Sequence, residues 1–122
     1  MFFSTKKIRI FLYTKKVDGR WGMDRLAHVV ESRIGLEPRS GALFVFFNKS
    51  MSRVRIFYYD GSGSCLFSKR LEKGKFKYPK FSAEQLSLDI APTELALLLE
   101  GCDLKYISKP KPWQPGEGNI SH

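Results

Sequence analysis

An α+β domain is the fold class this sequence predicts: an N-terminal strand and helix, an antiparallel β-meander of about four strands, and a C-terminal helix. Three observations predict it. Apolar side chains alternate with a two-residue period near the start, a helical apolar period follows, and four short β-prone runs separated by turn formers come next. The 122 residues, 43% hydrophobic and 14% aromatic, suffice for one core and leave little for a second.

From Lys6 to Tyr13, Ile8, Ile10 and Leu12 fall on one face and Lys7, Arg9 and Phe11 on the other, which predicts a strand with a core face and a basic face. Asp18-Gly19-Arg20-Trp21-Gly22 then forms a polar, glycine-broken loop. Met23, Leu26, Ala27, Val30 and Ile34 recur at helical spacing, and Gly35 stops that helix. After the turn at 38–41, residues 42–47, 53–59, 64–71 and 75–78 read as strands joined by short connectors rich in Gly, Ser, Asn and Asp, so neighbours should pair as hairpins. Residues 93–101 form a closing helix, with Pro92 at its first position and Leu95, Leu98 and Leu99 facing the sheet. Residues 1–108 are expected to make the domain and 109–122 a flexible tail containing Pro and Gly.

The net charge of +9 is uneven: residues 1–80 hold 18 Lys/Arg against 6 Asp/Glu, residues 81–122 hold 3 against 6. A regional excess of this kind steers polyanions to the surface, with nucleic acid the leading partner and anionic lipid or an acidic protein behind it. No apolar stretch reaches signal-peptide or membrane-span length, and the two cysteines, Cys65 and Cys102, suit reduced thiols, so a cytoplasmic protein is expected.

The strongest chemical signal is cations set beside aromatics on strands. Arg53 and Arg55 share a strand face with Phe57 and Tyr59, Lys69 and Arg70 follow on the next strand, and Lys73, Lys75 and Lys77 interleave with Phe76 and Tyr78. Such a face neutralises phosphates; its rings either stack on bases or simply fill the core, and core is the commoner fate of Phe in strands. A second candidate is the loop of Asp18, Arg20, Gly22 and Asp24 before the first helix. It reads either as a phosphate grip at a helix start or, in better agreement with its two aspartates, as an internal Asp–Arg pair. Catalysis finds little footing. The two histidines, His28 and His122, are far apart in sequence and on different segments, Asp18, Asp24 and Asp60 sit where turn and cap chemistry explains them, and no cofactor or metal is implied.

Three ordered blocks carry a resemblance: Gly-Ala-Leu-Phe-Val-Phe-Phe-Asn at 41–48, Arg-Val-Arg-Ile-Phe-Tyr-Tyr-Asp-Gly at 53–61 and Lys-Arg-Leu-Glu-Lys-Gly-Lys-Phe-Lys-Tyr-Pro at 69–79. With Asp18, Arg20, Gly22, Asp24 and Leu26-Ala27 before them and Leu-Leu-Leu-Glu-Gly at 97–101 after, they resemble the TnpB accessory protein of the insertion-sequence-sixty-six family over roughly residues 8–104. Trp21 stands where that family usually has lysine, Tyr59 and Tyr78 where it has tryptophan, and Ala91 where it has a Ser/Thr cap. The resemblance implies a bacterial mobile element in which a separate transposase cuts and joins DNA and this small protein is an additional requirement.

Together these readings predict a non-catalytic accessory factor for transposition, cytoplasmic and nucleoid-associated, with the element's DNA ends, the transposase and another accessory protein of the element as partners. Arg53, Arg55, Lys69, Arg70, Lys73, Lys75 and Lys77 are expected to meet phosphates and Arg20 to order its loop. The alternative is a protein–protein adaptor for the transposase without a direct DNA role. A magnesium-dependent nuclease resting on Asp18 or Asp24 is the third option.

Overall fold

The computed structural model describes residues 7–101, so Cys102, His122 and the expected tail at 109–122 lie outside the described residues. Five strands, β1 (Ile10–Tyr13), β2 (Leu43–Phe47), β3 (Arg53–Tyr59), β4 (Ser64–Arg70) and β5 (Ser87–Ile90), form one mixed sheet in the order β4-β3-β2-β1-β5. With the helices α1 (Met23–Val29) and α2 (Pro92–Leu99), the architecture is α+β. No described helix is long and apolar enough to cross a membrane.

The chain enters at the sheet's interior. β1 pairs in parallel with β2 across the α1 connection, Ile10 opposite Leu43 and Leu12 opposite Val45, and antiparallel with β5 on its other side. A strand flanked on both edges and covered on both faces has no place for a basic face. Phe11, expected on that face, is buried together with Tyr13 against Phe44, Phe46 and Leu26, while Ile10 and Leu12 join Val45, Phe47, Val54, Ile56, Leu95 and Leu98 on the other side. The same burial explains the unbroken apolar run Leu-Phe-Val-Phe-Phe of β2.

α1 begins at Gly22, whose extended backbone provides no side-chain cap, and continues beyond Val29 as one wider turn over Val30–Ile34. Gly35 ends it at φ 80°, donating its N–H to the Val30 carbonyl at 2.8 Å. This left-handed geometry is the reason for glycine there. At α2, Glu94 Oε1 accepts the Ala91 N–H at 2.7 Å, which is half of a capping box; alanine has no oxygen to return the bond to the helix.

Two expectations for the meander need correction. Residues 75–78 form no strand: Leu71 donates to the Ser52 carbonyl (2.8 Å), Phe76 to the Met51 carbonyl (2.7 Å), and the Phe76 ring, 2% exposed, is driven onto the α2 face of the sheet 5.4 Å from Phe47. The buried Phe76 ring, the half-buried Tyr78 ring edge-on to Phe47 at 5.2 Å and two backbone bonds fix the segment, with no ladder. The fifth strand is instead β5, which was not expected. Only Leu88 and Ile90 mark it in sequence, and its register is held by pairing to β1 and by an ion pair between Arg9 and Asp89.

Candidate nucleic-acid interface

Because β1 and β2 run parallel and β3 and β4 alternate in direction, the ends of β1, β2 and β4 and the beginning of β3 meet at one end of the sheet. A bridge between Val17 and Asn48, with the Val17 N–H on the Phe47 carbonyl at 2.9 Å, fastens the chain after β1 to the turn after β2. Lys15 and Lys16 therefore lie at the same end of the sheet as Lys49, Arg53 and Arg70, with β2 and β3 between the ends of β1 and β4. The return of residues 71–76 to Met51 and Ser52 adds Lys73 and Lys75 to the same end. Lys15, Lys16, Lys49, Arg70, Lys73 and Lys75 are all exposed, and Arg53 is half-buried. Among the described residues the ion pairs are Arg9–Asp89 and Arg20–Asp18, so these seven cations have no carboxylate at salt-bridge distance.

The turn that carries Lys49 is rigid. Asn48 Oδ1 accepts the N–H groups of Ser52 and Arg53, both at 3.0 Å, and Met51 sits at φ 58°, the left-handed geometry that closes the reversal.

Alternation along β3 and β4 sorts the remaining cations by face. Arg53 stands opposite Arg70 and Arg55 opposite Ser68, all on the α1 face, where α1 packs over Phe57 and Leu66 farther up the same strands. Arg55 is half-buried and donates from Nη1 to the Gly19 carbonyl at 2.7 Å, while its Nε is buried without a hydrogen-bond partner. Burial, and then the charge of Arg53, push its pKa down from the usual guanidinium value. Lys69 points to the other face and donates Nζ to the Leu99 carbonyl at 2.7 Å, serving the exposed carbonyl end of α2. Sequence reasoning grouped Lys69 with Arg70; adjacent residues of a strand face opposite ways. Lys77 is exposed next to Phe76 on the 71–78 segment. Of the aromatics, Phe57 and Phe76 are core, and Tyr59 and Tyr78 are half-buried.

The motif loop is an internal construction. Asp18 accepts Arg20 Nε at 3.1 Å, Nη2 at 2.9 Å and the Arg20 backbone N–H at 2.9 Å. These hydrogen bonds from the Arg20 side chain and amide hold the Asp18 carboxyl well below the usual range, and the same contacts raise the Arg20 pKa. Gly19 lies against the Asn48 side chain, where an added Cβ would meet the Asn48 Cβ at 3.4 Å. Arg55 thus ties a preformed loop to the sheet through the Gly19 carbonyl. Gly22 is the residue before α1, and Asp24 is exposed in its first turn, where a carboxylate complements the helix dipole. The nearby Trp21 ring carries the Arg25 guanidinium 4.4 Å from its centre. Among the described residues, no group of three His, Cys, Asp or Glu is arranged to hold a metal ion, and Asp60 is spent on its own hairpin turn, accepting from Ser62 and Gly63.

Lys15, Lys16 and Lys49 escaped the sequence reading because only the parallel β1–β2 pairing brings them together. The opposite end of the sheet has a different character: Arg9 is paired with Asp89, Arg39 lies over the Tyr59 ring at 5.8 Å, and Asp60 turns the β3–β4 hairpin. The cationic excess is a property of one end.

Comparison with known proteins agrees with the resemblance in the sequence blocks. The family model described as IS66 Orf2 like protein matches residues 8–109. Two curated relatives from Sinorhizobium fredii, both titled as uncharacterized proteins, are 38% identical to this chain: y4hO over 112 residues (92% of this chain, 94% of the relative) and y4jC over 105 residues (86% and 88%). No solved structure matches the chain at a significant level. With the family model covering the whole sheet, both helices and the motif loop, the chain belongs to the IS66 Orf2-like family, whose members are accessory proteins associated with transposition.

Proposed function

We propose that the chain is a non-catalytic DNA-binding accessory factor, which holds the ends of its mobile element with the basic end of the sheet while a separate transposase performs the chemistry. The observation that carries this reading is the gathering of Lys15, Lys16, Lys49, Arg53, Arg70, Lys73 and Lys75 at one end of the sheet, with no carboxylate among the described residues at salt-bridge distance from them. Cations not held in ion pairs release counterions from a duplex without first breaking a salt bridge, and they grip the phosphate backbone with little dependence on sequence. This is a clamp more than a reader. Arg20 takes no direct part; locked onto Asp18, it stiffens the loop that Arg55 joins to the sheet. Nothing in this role requires the chain to make or break a bond, and its place of work is the nucleoid.

The test is a mobility-shift titration of the full chain against a duplex from the element's end and a scrambled duplex. Binding of both at low salt, weakening steeply as salt rises, supports the clamp. A second reading, in which the chain is an adaptor for the transposase or another accessory protein, is favoured by Phe67, 43% exposed on the edge strand β4. Retention of purified transposase without any DNA shift at low salt selects the adaptor.

A further inference from the structure

Arg53 and Arg70 face each other across the β3–β4 ladder, and Arg55 lies two residues along on the same face, opposite Ser68. Like charges at directly opposed positions of an antiparallel pair repel, and no carboxylate among the described residues lies at salt-bridge distance from any of the three. The repulsion is not relieved internally. Arg55 is further constrained: one guanidinium arm is held by the Gly19 carbonyl, and its Nε is buried with no acceptor. The fourth corner, Ser68, is exposed and offers a hydroxyl.

We propose that Arg53, Arg55, Ser68 and Arg70 form a socket for a single phosphate group, distinct from the diffuse lysine surface around it. The proposal rests on the DNA reading only in taking that phosphate from a nucleic acid. Opposed residues are about 5 Å apart at Cβ and residues two apart on a strand about 7 Å, so the four side chains frame an area that one tetrahedral oxyanion can bridge. Guanidinium forks match phosphate oxygens two at a time, and an anion in the socket converts the Arg53–Arg70 repulsion into two attractions. Through Arg55 and the Gly19 carbonyl it also acts on the motif loop, linking occupancy of the sheet to the order of residues 18–22. A phosphodiester in a DNA backbone and a terminal phosphomonoester share the chemistry required.

The experiment measures thermal midpoints of the full chain in sodium phosphate and in sodium chloride at matched ionic strength, for the wild type and for Arg53→Gln, Arg70→Gln and the double variant Lys73→Ala/Lys75→Ala. Phosphate stabilises proteins in general, so the quantity read is the increment over chloride compared between variants. The wild type and the lysine variant should gain about 3 °C more than either arginine variant, as a ligand present at several times its dissociation constant would give. In chloride both arginine variants should melt no lower than wild type, because each removes a like charge; this guards against mistaking a folding defect for lost binding. Equal increments in all four proteins would overturn the proposal, and so would an arginine variant that melts lower in chloride. The dinucleotides TpT and 5′-phosphorylated pTpT then separate the sources: stabilisation by both assigns a diester, by pTpT alone a monoester, and by neither, at concentrations where inorganic phosphate acts, overturns the nucleic-acid assignment. A phosphate increment that needs Arg53 and Arg70, in a protein that shifts no duplex, would keep the socket and remove the DNA clamp.

Discussion

Replacing Phe76 by alanine tests how the 71–78 segment is held and, with it, why Lys73 and Lys75 stand where they do. The ring is 2% exposed and lies 5.4 Å from Phe47 at an angle of 45°. Burying a phenylalanine side chain is worth about 1.5–3 kcal/mol, an aromatic pair adds roughly 0.5–1.5 kcal/mol, and the cavity left by truncation brings the measured cost of such changes to about 3–5 kcal/mol. We therefore expect Phe76→Ala to lose about 3–4 kcal/mol, a large part of the ~5–15 kcal/mol available to a domain this size, and to melt on the order of 20 °C lower. The neighbouring Lys75→Ala should stay within about 0.5 kcal/mol of wild type, since that side chain is exposed. Urea unfolding followed by circular dichroism measures both. A loss below about 1 kcal/mol for Phe76→Ala would refute the reasoning, for it would mean that the segment is carried by its backbone bonds and the Tyr78 ring, with the Phe76 ring incidental.

Other consequences can be checked by unfolding and binding measurements. Ala91→Ser supplies the oxygen missing from the α2 capping box, whose other half, Glu94 to the Ala91 N–H, is already formed; stability should rise by about 0.5–1 kcal/mol. Lys69→Met removes the cation from the Leu99 carbonyl and should cost about 1 kcal/mol while leaving the salt dependence of DNA binding unchanged. Asp18 and Asp60 are both depressed from 3.8, Asp60 to about 2 through the Ser62 amide and hydroxyl and the Gly63 amide. A depressed carboxylate adds stability that is complete above the unfolded value and is lost as pH falls through the folded one. The thermal midpoint should accordingly fall between pH 4 and pH 2, and Asp18→Asn/Asp60→Asn should flatten that fall; identical profiles would contradict the assignment.

Much of this architecture is legible in the chain because strong local signals agree with it. The β2–β3–β4 meander follows from an apolar run and two turns whose Asn48 and Asp60 side chains bond their own backbone. Gly35 and Pro92 mark helix boundaries by their backbone geometry alone. The parallel pairing of β1 with β2 was not legible, since it depends on a crossover through α1 and leaves no turn signature. β5 is four residues long with two apolar positions, too little for a periodicity to emerge. Alternation of lysine with Phe76 and Tyr78 has the same two-residue period whether the segment joins a ladder or is pinned by its rings on Phe47. The site shows the same division. Its cations were visible as a regional excess, and the Asp18–Arg20 pair as the favoured reading of the loop. What the residues could not convey was the convergence of Lys15, Lys16 and Lys49 with Arg53, or the departure of Lys69 to the α2 face, because both depend on which strand ends meet.

The most direct measurement of the central claim is the salt dependence of duplex binding by the full chain and by Arg53→Gln/Arg70→Gln/Lys73→Ala/Lys75→Ala. Each phosphate neutralised adds about 0.9 to the slope of log K against log salt, so losing the one phosphate shared by Arg53 and Arg70 and the two met by Lys73 and Lys75 should lower the slope by about 2.7 and weaken binding most at low salt. Parallel slopes for the two proteins, or a wild type that shifts no duplex at about 50 mM salt, would contradict a DNA clamp at the basic end of the sheet.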